Sequence, residues 1–113
     1  MIRAVNAPLD VTATVCNYNG RAYLADCLRA ILEQRRPPPR VVVYDNASTD
    51  GSAALVRERF PQVEVVEMGS NQGPGAPRNR GLEDAGTEFV LQVDSDVILA
   101  PDCLERLHAE ALA

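Results

Sequence analysis

Short apolar runs rich in valine alternate along this chain with stretches whose apolar residues fall three and four apart. That alternation constrains the fold more than any other feature. The runs lie at 11–16, 41–44, 63–68 and 89–93, each the length of a strand and rich in the side chains that suit a pleated surface. Between the first two, Tyr23, Leu24, Cys27, Leu28, Ile31 and Leu32 make one apolar stripe on a helix over 20–34. Arg35, Arg36 and the prolines at 37–39 end it, since proline has no amide hydrogen and its ring collides with the preceding turn. A second helix starts at a cap, Ser48 or Asp50, turns Leu55, Val56, the Arg59 stem and Phe60 inward, and stops at Pro61. A glycine-rich loop over 69–75 leads into a short helix over 76–85. Pro101-Asp102 opens a last helix with Leu104, Leu107, Ala111 and Leu112 inward.

Strands alternating with helices require right-handed crossovers, and therefore a parallel sheet. The expectation is an α/β chain: one domain over 1–113, a Rossmann-like half with about four parallel strands in the order 3-2-1-4, flanked by helices. The uninterrupted run at 41–44 fits a strand covered on both faces. Glu64 and Glu67 give the 63–68 run a polar alternation, which places it nearer an edge. The run at 89–93 reads as a buried strand. In this order the first and fourth strands are neighbours, and open α/β sheets bind ligands at such a switch point, outside the carboxyl ends of the strands.

Three polar clusters fall on that rim: Cys16-Asn17-Tyr18-Asn19, Asp45-Asn46 and Asp94-Ser95-Asp96. Two carboxylates one residue apart at a strand end repel each other unless water or a cation separates them. Hard divalent ions take one or two carboxylates and complete their shell with substrate phosphate oxygens and water. A net charge of −5 without a dense Lys/Arg cluster argues against nucleic acid as the partner. An anionic ligand would need a metal or a local arginine. Cys16, Cys27 and Cys103 contain no Cys-x-x-Cys pair, which points to reduced thiols and away from structural zinc. No signal peptide and no apolar stretch near the roughly 18 residues of a membrane span are present, so the expected location is the cytoplasm, or the cytosolic face of a membrane for a longer form. A dinucleotide fingerprint is excluded: the first strand runs into Asn17-Tyr18-Asn19-Gly20 with one glycine, and Gly73-Pro74-Gly75 follows the third strand with Arg78 in the last glycine's place. No Gly-Lys-Ser or Gly-Lys-Thr of a phosphate-binding loop occurs.

Four segments together carry a resemblance: Val15-Cys16-Asn17-Tyr18-Asn19-Gly20, Val43-Tyr44-Asp45-Asn46-Ala47-Ser48-Thr49-Asp50-Gly51-Ser52, Asn71-Gln72-Gly73 with Arg78-Asn79-Arg80-Gly81-Leu82, and Val93-Asp94-Ser95-Asp96. In order and spacing they resemble the nucleotide-sugar-binding half of family 2 glycosyltransferases, which have the GT-A fold and transfer sugar with inversion. The resemblance implies a UDP- or dTDP-sugar donor and Mn²⁺ or Mg²⁺. It places Cys16, Asn17 and Tyr18 against base and ribose, and Asp45 and Asn46 at the pyrimidine edge, where many members carry two acids. Asp94, Ser95 and Asp96 then lie at the nucleotide-sugar and the ion, Asp96 as metal ligand and Asp94 on the ribose or a metal-bound water, and Arg78 near the donor, with Asn79 on the same wall. Asp50 is read as a structural acid at a helix start, Arg80 as a solvated helix residue, and His108 as no metal ligand.

The same resemblance puts the general base of an inverting transferase well downstream of Asp96. Asp102, Glu105 and Glu110 read as solvated acids of the last helix, so no catalytic residue is assigned. Two functions stay open. One is the donor half of a metal-dependent transferase. The other is a non-catalytic nucleotide-sugar-binding or oligomerising module. Without further strands the fourth strand becomes an exposed edge, which invites pairing with another copy or with further chain. The acceptor is not legible.

Overall fold

The computed structural model describes residues 9–113; residues 1–8 of the expected domain lie outside the described residues. The elements alternate throughout: β1 Val11–Asn17, α1 Arg21–Leu32, β2 Arg40–Asp45, α2 Ser52–Arg59, β3 Glu64–Glu67, α3 Gly75–Asp84, β4 Phe89–Asp94 and α4 Cys103–Leu112. All strand pairs are parallel, and the sheet order is β3-β2-β1-β4. Cys16 is in register with Tyr44 on one side and Asp94 on the other. The chain therefore leaves all three strands at one level, which is what makes a common rim.

The crossovers explain which helices share a face. The first two step outward from β1 through β2 to β3, and the third runs back across the sheet to β4. Reversing the direction of a right-handed crossover moves its helix to the opposite face. Ala13 and Val15 of β1 and Val41 and Val43 of β2 accordingly pack on Leu24, Cys27, Leu28 and Ile31 of α1 and on Val56 of α2. On the other face α3 meets Thr14 and Tyr44. A Cβ on Gly81 would stand 3.0 Å from Thr14 Cγ2, so a glycine lets α3 approach β1. The Tyr44 hydroxyl donates to Asp84 Oδ2 at 3.1 Å, and burial together with that carboxylate pushes the phenol up to about 12. The α4 helix returns to the first face, where Leu104 joins Leu9 and Val11 against Phe89 and Leu91. Its Leu104 amide donates to the buried Gln34 Oε1 at 2.9 Å, while Gln34 Nε2 donates to the Ala30 and Ala100 carbonyls. Each fully buried aliphatic side chain in this core contributes about 1.5–3 kcal/mol.

Several sequence expectations are corrected. Ser48 does not cap α2: the cap position is Gly51, left-handed at φ 83°. Asp50 serves from one residue earlier, its Oδ1 accepting the Ser52 amide at 3.0 Å and the Ser52 hydroxyl, its Oδ2 accepting the Arg21 amide at 3.0 Å. One carboxylate thus ties the starts of two helices, and although burial opposes it, these bonds hold Asp50 below its ordinary value. Arg59 is exposed, and Ser52 fills the inward face with Val56. In α4, Leu107 and Leu112 are exposed, and the inward positions belong to Leu104 and His108. His108 packs edge-on against Phe89, ring centroids 5.5 Å apart. In β4 only Val93 is buried, because among the described residues the strand is an edge of the sheet with a neighbour on one side only. The other edge, β3, carries the expected exposed Glu64 and Glu67, paired with Arg40 at 2.7 Å and Arg57 at 3.0 Å.

Candidate functional site

A cavity of about 450 Å³ opens at the carboxyl ends of β1 and β4. Its wall holds Cys16, Asn17, Tyr18, Asn46, Asp94, Ser95 and Asp96, drawn from all three polar clusters, together with Arg78 of α3. The register explains the convergence: β1 lies between β2 and β4, so its outgoing loop is flanked by theirs.

Two clasps shape the floor. Ser48 Oγ accepts the Asn19 amide at 2.8 Å, and Asn19 Oδ1 accepts the Thr49 amide at 2.8 Å, which locks the loop after β1 to the loop after β2. Ala47 sits between them at φ 61°, a conformation that non-glycine residues adopt only when their surroundings impose it. The second clasp is Asn46, whose Nδ2 donates to Asn71 Oδ1 at 3.0 Å and to the Gly73 carbonyl at 3.2 Å. This holds the glycine-rich loop against the cavity.

Asp45, expected at the pyrimidine edge, is 2% exposed and lies off the cavity wall. Its Oδ1 accepts Asn17 Nδ2 at 2.9 Å and its Oδ2 accepts the Ser48 amide at 2.9 Å. The carboxylate therefore braces the loops from beneath, and Asn46 is the member of the pair that faces the ligand space. Because a carboxylate only accepts, Asp45 also dictates which way the Asn17 amide points. Asn17 Oδ1 is left buried without a partner, near Ser95. Gly20 closes this corner: a Cβ there would collide with Asn17 Oδ1 and come within 2.6 Å of Ser95 Oγ.

On the opposite wall Arg78 Nη2 meets Asp94 Oδ1 at 2.9 Å, and Gln92 Nε2 donates to the Arg78 carbonyl at 2.9 Å, tying α3 to β4. Asp96 makes no hydrogen bond or ion pair among the described residues, nor does any cluster of three or more His, Cys, Asp or Glu suited to a metal occur among them. The turn after β4 is set by the Asp94 carbonyl, which accepts the Val97 amide at 3.0 Å and the Cys27 thiol at 3.6 Å. Burial, with Asp96 and Asp94 adding to it, pushes that thiol up to about 11. Burial also raises Cys16, against the pull of Arg78.

Asn79, expected on this wall, is exposed and off it; Arg80, read as a solvated helix residue, pairs with Asp84 at 2.9 Å, and His108, not assigned to the site, is buried on α4. Tyr23, read as part of the inward stripe, is 60% exposed and lines the cavity. It shares the helical spacing of Cys27, but the first turn of α1 stands at the rim of the sheet with nothing over it. Asn71, Pro74 and Pro77 also line the site. Asn71 was marked by the resemblance, as part of Asn71-Gln72-Gly73, but without a role, and Pro74 and Pro77 had no signal beyond helix-start chemistry.

The sequence model described as glycosyl transferase family 2 matches residues 12–113. The chain is 33% identical over 109 residues to the succinoglycan biosynthesis protein ExoO of Rhizobium meliloti, spanning 96% of this chain and 31% of that protein. It is 35% identical over 106 residues to the poly(ribitol-phosphate) beta-N-acetylglucosaminyltransferase TarS of Staphylococcus aureus, spanning 89% of this chain and 18% of that protein. The crystal structure of S. aureus TarS 1-349 in complex with UDP matches with a TM-score of 0.79 at 33% identity, over 89% of this chain and 31% of that one. The mannosyltransferase PcManGT from Pyrobaculum calidifontis, in complex with GDP-Man and Mn²⁺, matches with a TM-score of 0.77 at 34% identity, over 87% and 31%. The chain thus spans about a third or less of the length of these relatives. With four parallel strands in this order, a shared fold with these glycosyltransferases and a family match over nearly its whole length, the chain belongs to glycosyl transferase family 2.

Proposed function

We propose that this chain is the donor-binding half of an inverting glycosyltransferase, holding a UDP- or dTDP-sugar and a divalent ion, Mn²⁺ or Mg²⁺, in the cavity between β1 and β4. One observation carries the reading: the Asp94 and Asp96 carboxylates share a cavity of about 450 Å³ with Tyr18, Asn46 and Arg78. That volume lies within the range of small-ligand sites, and its polar groups suit the parts of one nucleoside diphosphate. The exposed Tyr18 offers a ring face to a base. Asn46 has both amide hydrogens committed to Asn71 and Gly73, and its Oδ1, which takes the Gln72 amide, keeps one lone pair to accept from a pyrimidine N–H. Asn17 Oδ1 and Ser95 Oγ lie toward the ribose, and Arg78 offers a fork to phosphate.

The donor set fits a hard divalent ion. Asp94 and Asp96 supply carboxylate oxygens, too few for an all-protein cage, which leaves room for phosphate oxygens and water. When bound, such an ion supplies Lewis-acid neutralisation of the charge that grows on the departing diphosphate. The chain's own residues orient the donor: Tyr18 and Tyr23 flank it, Asn46 holds the base side, and Asp94 with Arg78 presents polar groups at the diphosphate side. The neighbours' donors differ in base, UDP in one and GDP-Man in another. The single-ring reading therefore rests on the Asn46 wall and not on kinship. Calorimetry with UDP and dTDP, in Mn²⁺ and in EDTA, tests the proposal, with ADP and GDP as competitors. Equal affinity with and without the ion, or purine binding as tight as pyrimidine, sinks it.

A second reading, a module that binds nucleotide-sugar and oligomerises without transfer, is favoured by one feature. Among the described residues Asp94 and Asp96 are the only acids on the cavity wall, and neither is spare if both serve the ion. The edge strand β4 then pairs with a second copy. Light scattering of the purified chain tests this, and a monomer at all concentrations removes it.

A further inference from the structure

Resting on the donor-site reading above, we infer that Arg78 is the resident counter-cation of the Asp94 carboxylate, and that it makes the site discriminate against a divalent ion arriving without a diphosphate. The guanidinium donates to Asp94 Oδ1 at 2.9 Å. Its backbone is fastened to β4 through the Gln92 amide, so the side chain stays within reach of Asp94. The two side chains are 46% and 54% exposed, which makes this an exchangeable pair and not a buried one. Asp96 has no such partner among the described residues.

An ion shared by Asp94 and Asp96 takes a carboxylate whose Oδ1 Arg78 already holds, so it weakens that ion pair, and it brings two positive charges beside a fixed one. Alone, it pays both costs. A nucleoside diphosphate removes both: its oxygens complete the ion's shell and give the released guanidinium a fork-shaped anion to grip. The ion and the nucleotide therefore promote each other's binding through Arg78, and by linkage the factor is the same in both directions. Arg80 is the internal control. It lies two residues further along α3, carries the same charge, and is paired with Asp84 instead of Asp94.

The test measures free Mn²⁺ by electron paramagnetic resonance during titration of the chain, with and without UDP, for the wild type, Arg78→Gln, Arg78→Lys and Arg80→Gln. Arg78→Gln should tighten binding of Mn²⁺ alone by about two- to fivefold, the worth of an exposed ion pair. It should weaken binding of UDP with Mn²⁺ by about tenfold, because a charge-assisted phosphate contact is gone. Arg78→Lys, which keeps the charge and loses the fork, should fall between. Arg80→Gln should change neither. Matching thermal melts confirm that each variant is folded. Unchanged or weaker Mn²⁺ binding by Arg78→Gln overturns the inference, and so does equal tightening by Arg80→Gln, which would make the effect one of net charge. If wild-type UDP binding ignores Mn²⁺, the donor-site reading itself falls. If it responds to Mn²⁺ while Arg78→Gln does not tighten the bare ion, only the role of Arg78 falls.

Discussion

Replacing Asp45 separates a brace from a ligand contact. The carboxylate is buried and accepts two hydrogen bonds, from Asn17 Nδ2 and from the Ser48 amide, each at 2.9 Å. Hydrogen bonds to a charged group contribute about 1.5–3 kcal/mol each. Part of their loss in Asp45→Ala is offset, because a carboxylate no longer has to be buried. The expected net cost is about 2–4 kcal/mol, a large share of the roughly 6–17 kcal/mol that holds a domain of this size. Asp45→Asn keeps the shape and one acceptor but gives Asn17 a competing amide group, so about 1–2 kcal/mol is expected. Urea unfolding followed by circular dichroism reads both, as a lower midpoint at constant slope. UDP affinity should fall only as far as the loops after β1 and β2 loosen. An unchanged midpoint with UDP binding abolished would refute the reasoning, since it would place the carboxylate on the ligand.

Gly20→Ala puts a methyl against Asn17 Oδ1 and Ser95 Oγ, so UDP binding should weaken at least tenfold while the far core keeps its amide exchange protection; full affinity would show that this corner gives way freely. The Cys27 thiol, raised to about 11 from an ordinary 9.0, should resist iodoacetamide at pH 9 in the folded chain and react after denaturation. The unfolded thiol ionises first as pH rises, so the folded state binds more protons and stability should fall between pH 9 and about 11; a flat urea midpoint across that window contradicts the shift. The purified chain should transfer no sugar to simple alcohol acceptors from UDP- or dTDP-sugars, because among the described residues the cavity wall has no acid beyond Asp94 and Asp96 to act as base and losing a base costs about 10²–10⁴-fold. Multiple turnovers abolished by Asp96→Asn would reveal a base that this wall does not show.

Much of this molecule is local, and what is local can be read along the chain. Apolar spacing of two or of three to four decides strand or helix within a handful of residues, and prolines at 37–39 and 61 mark where those patterns stop. Alternating strands and helices, with the handedness of crossovers, then leave few sheet orders, and the observed β3-β2-β1-β4 is the expected one. The rim clusters follow, because polar residues after strands in a parallel sheet must share an edge. What the chain could not decide by itself is which atom of a cluster faces the ligand space. Asp45 and Asn46 are adjacent in sequence, yet a pleat sends one under the floor and the other onto the wall. Tyr23 has the spacing of a core residue but stands where α1 outruns the sheet, and His108 takes an inward place on α4 because Phe89 offers it an edge. The Arg78–Asp94 pair joins residues 16 apart on different elements. Such meetings depend on strand register and helix tilt, which every contact in the core sets together, and no single segment of the sequence carries them.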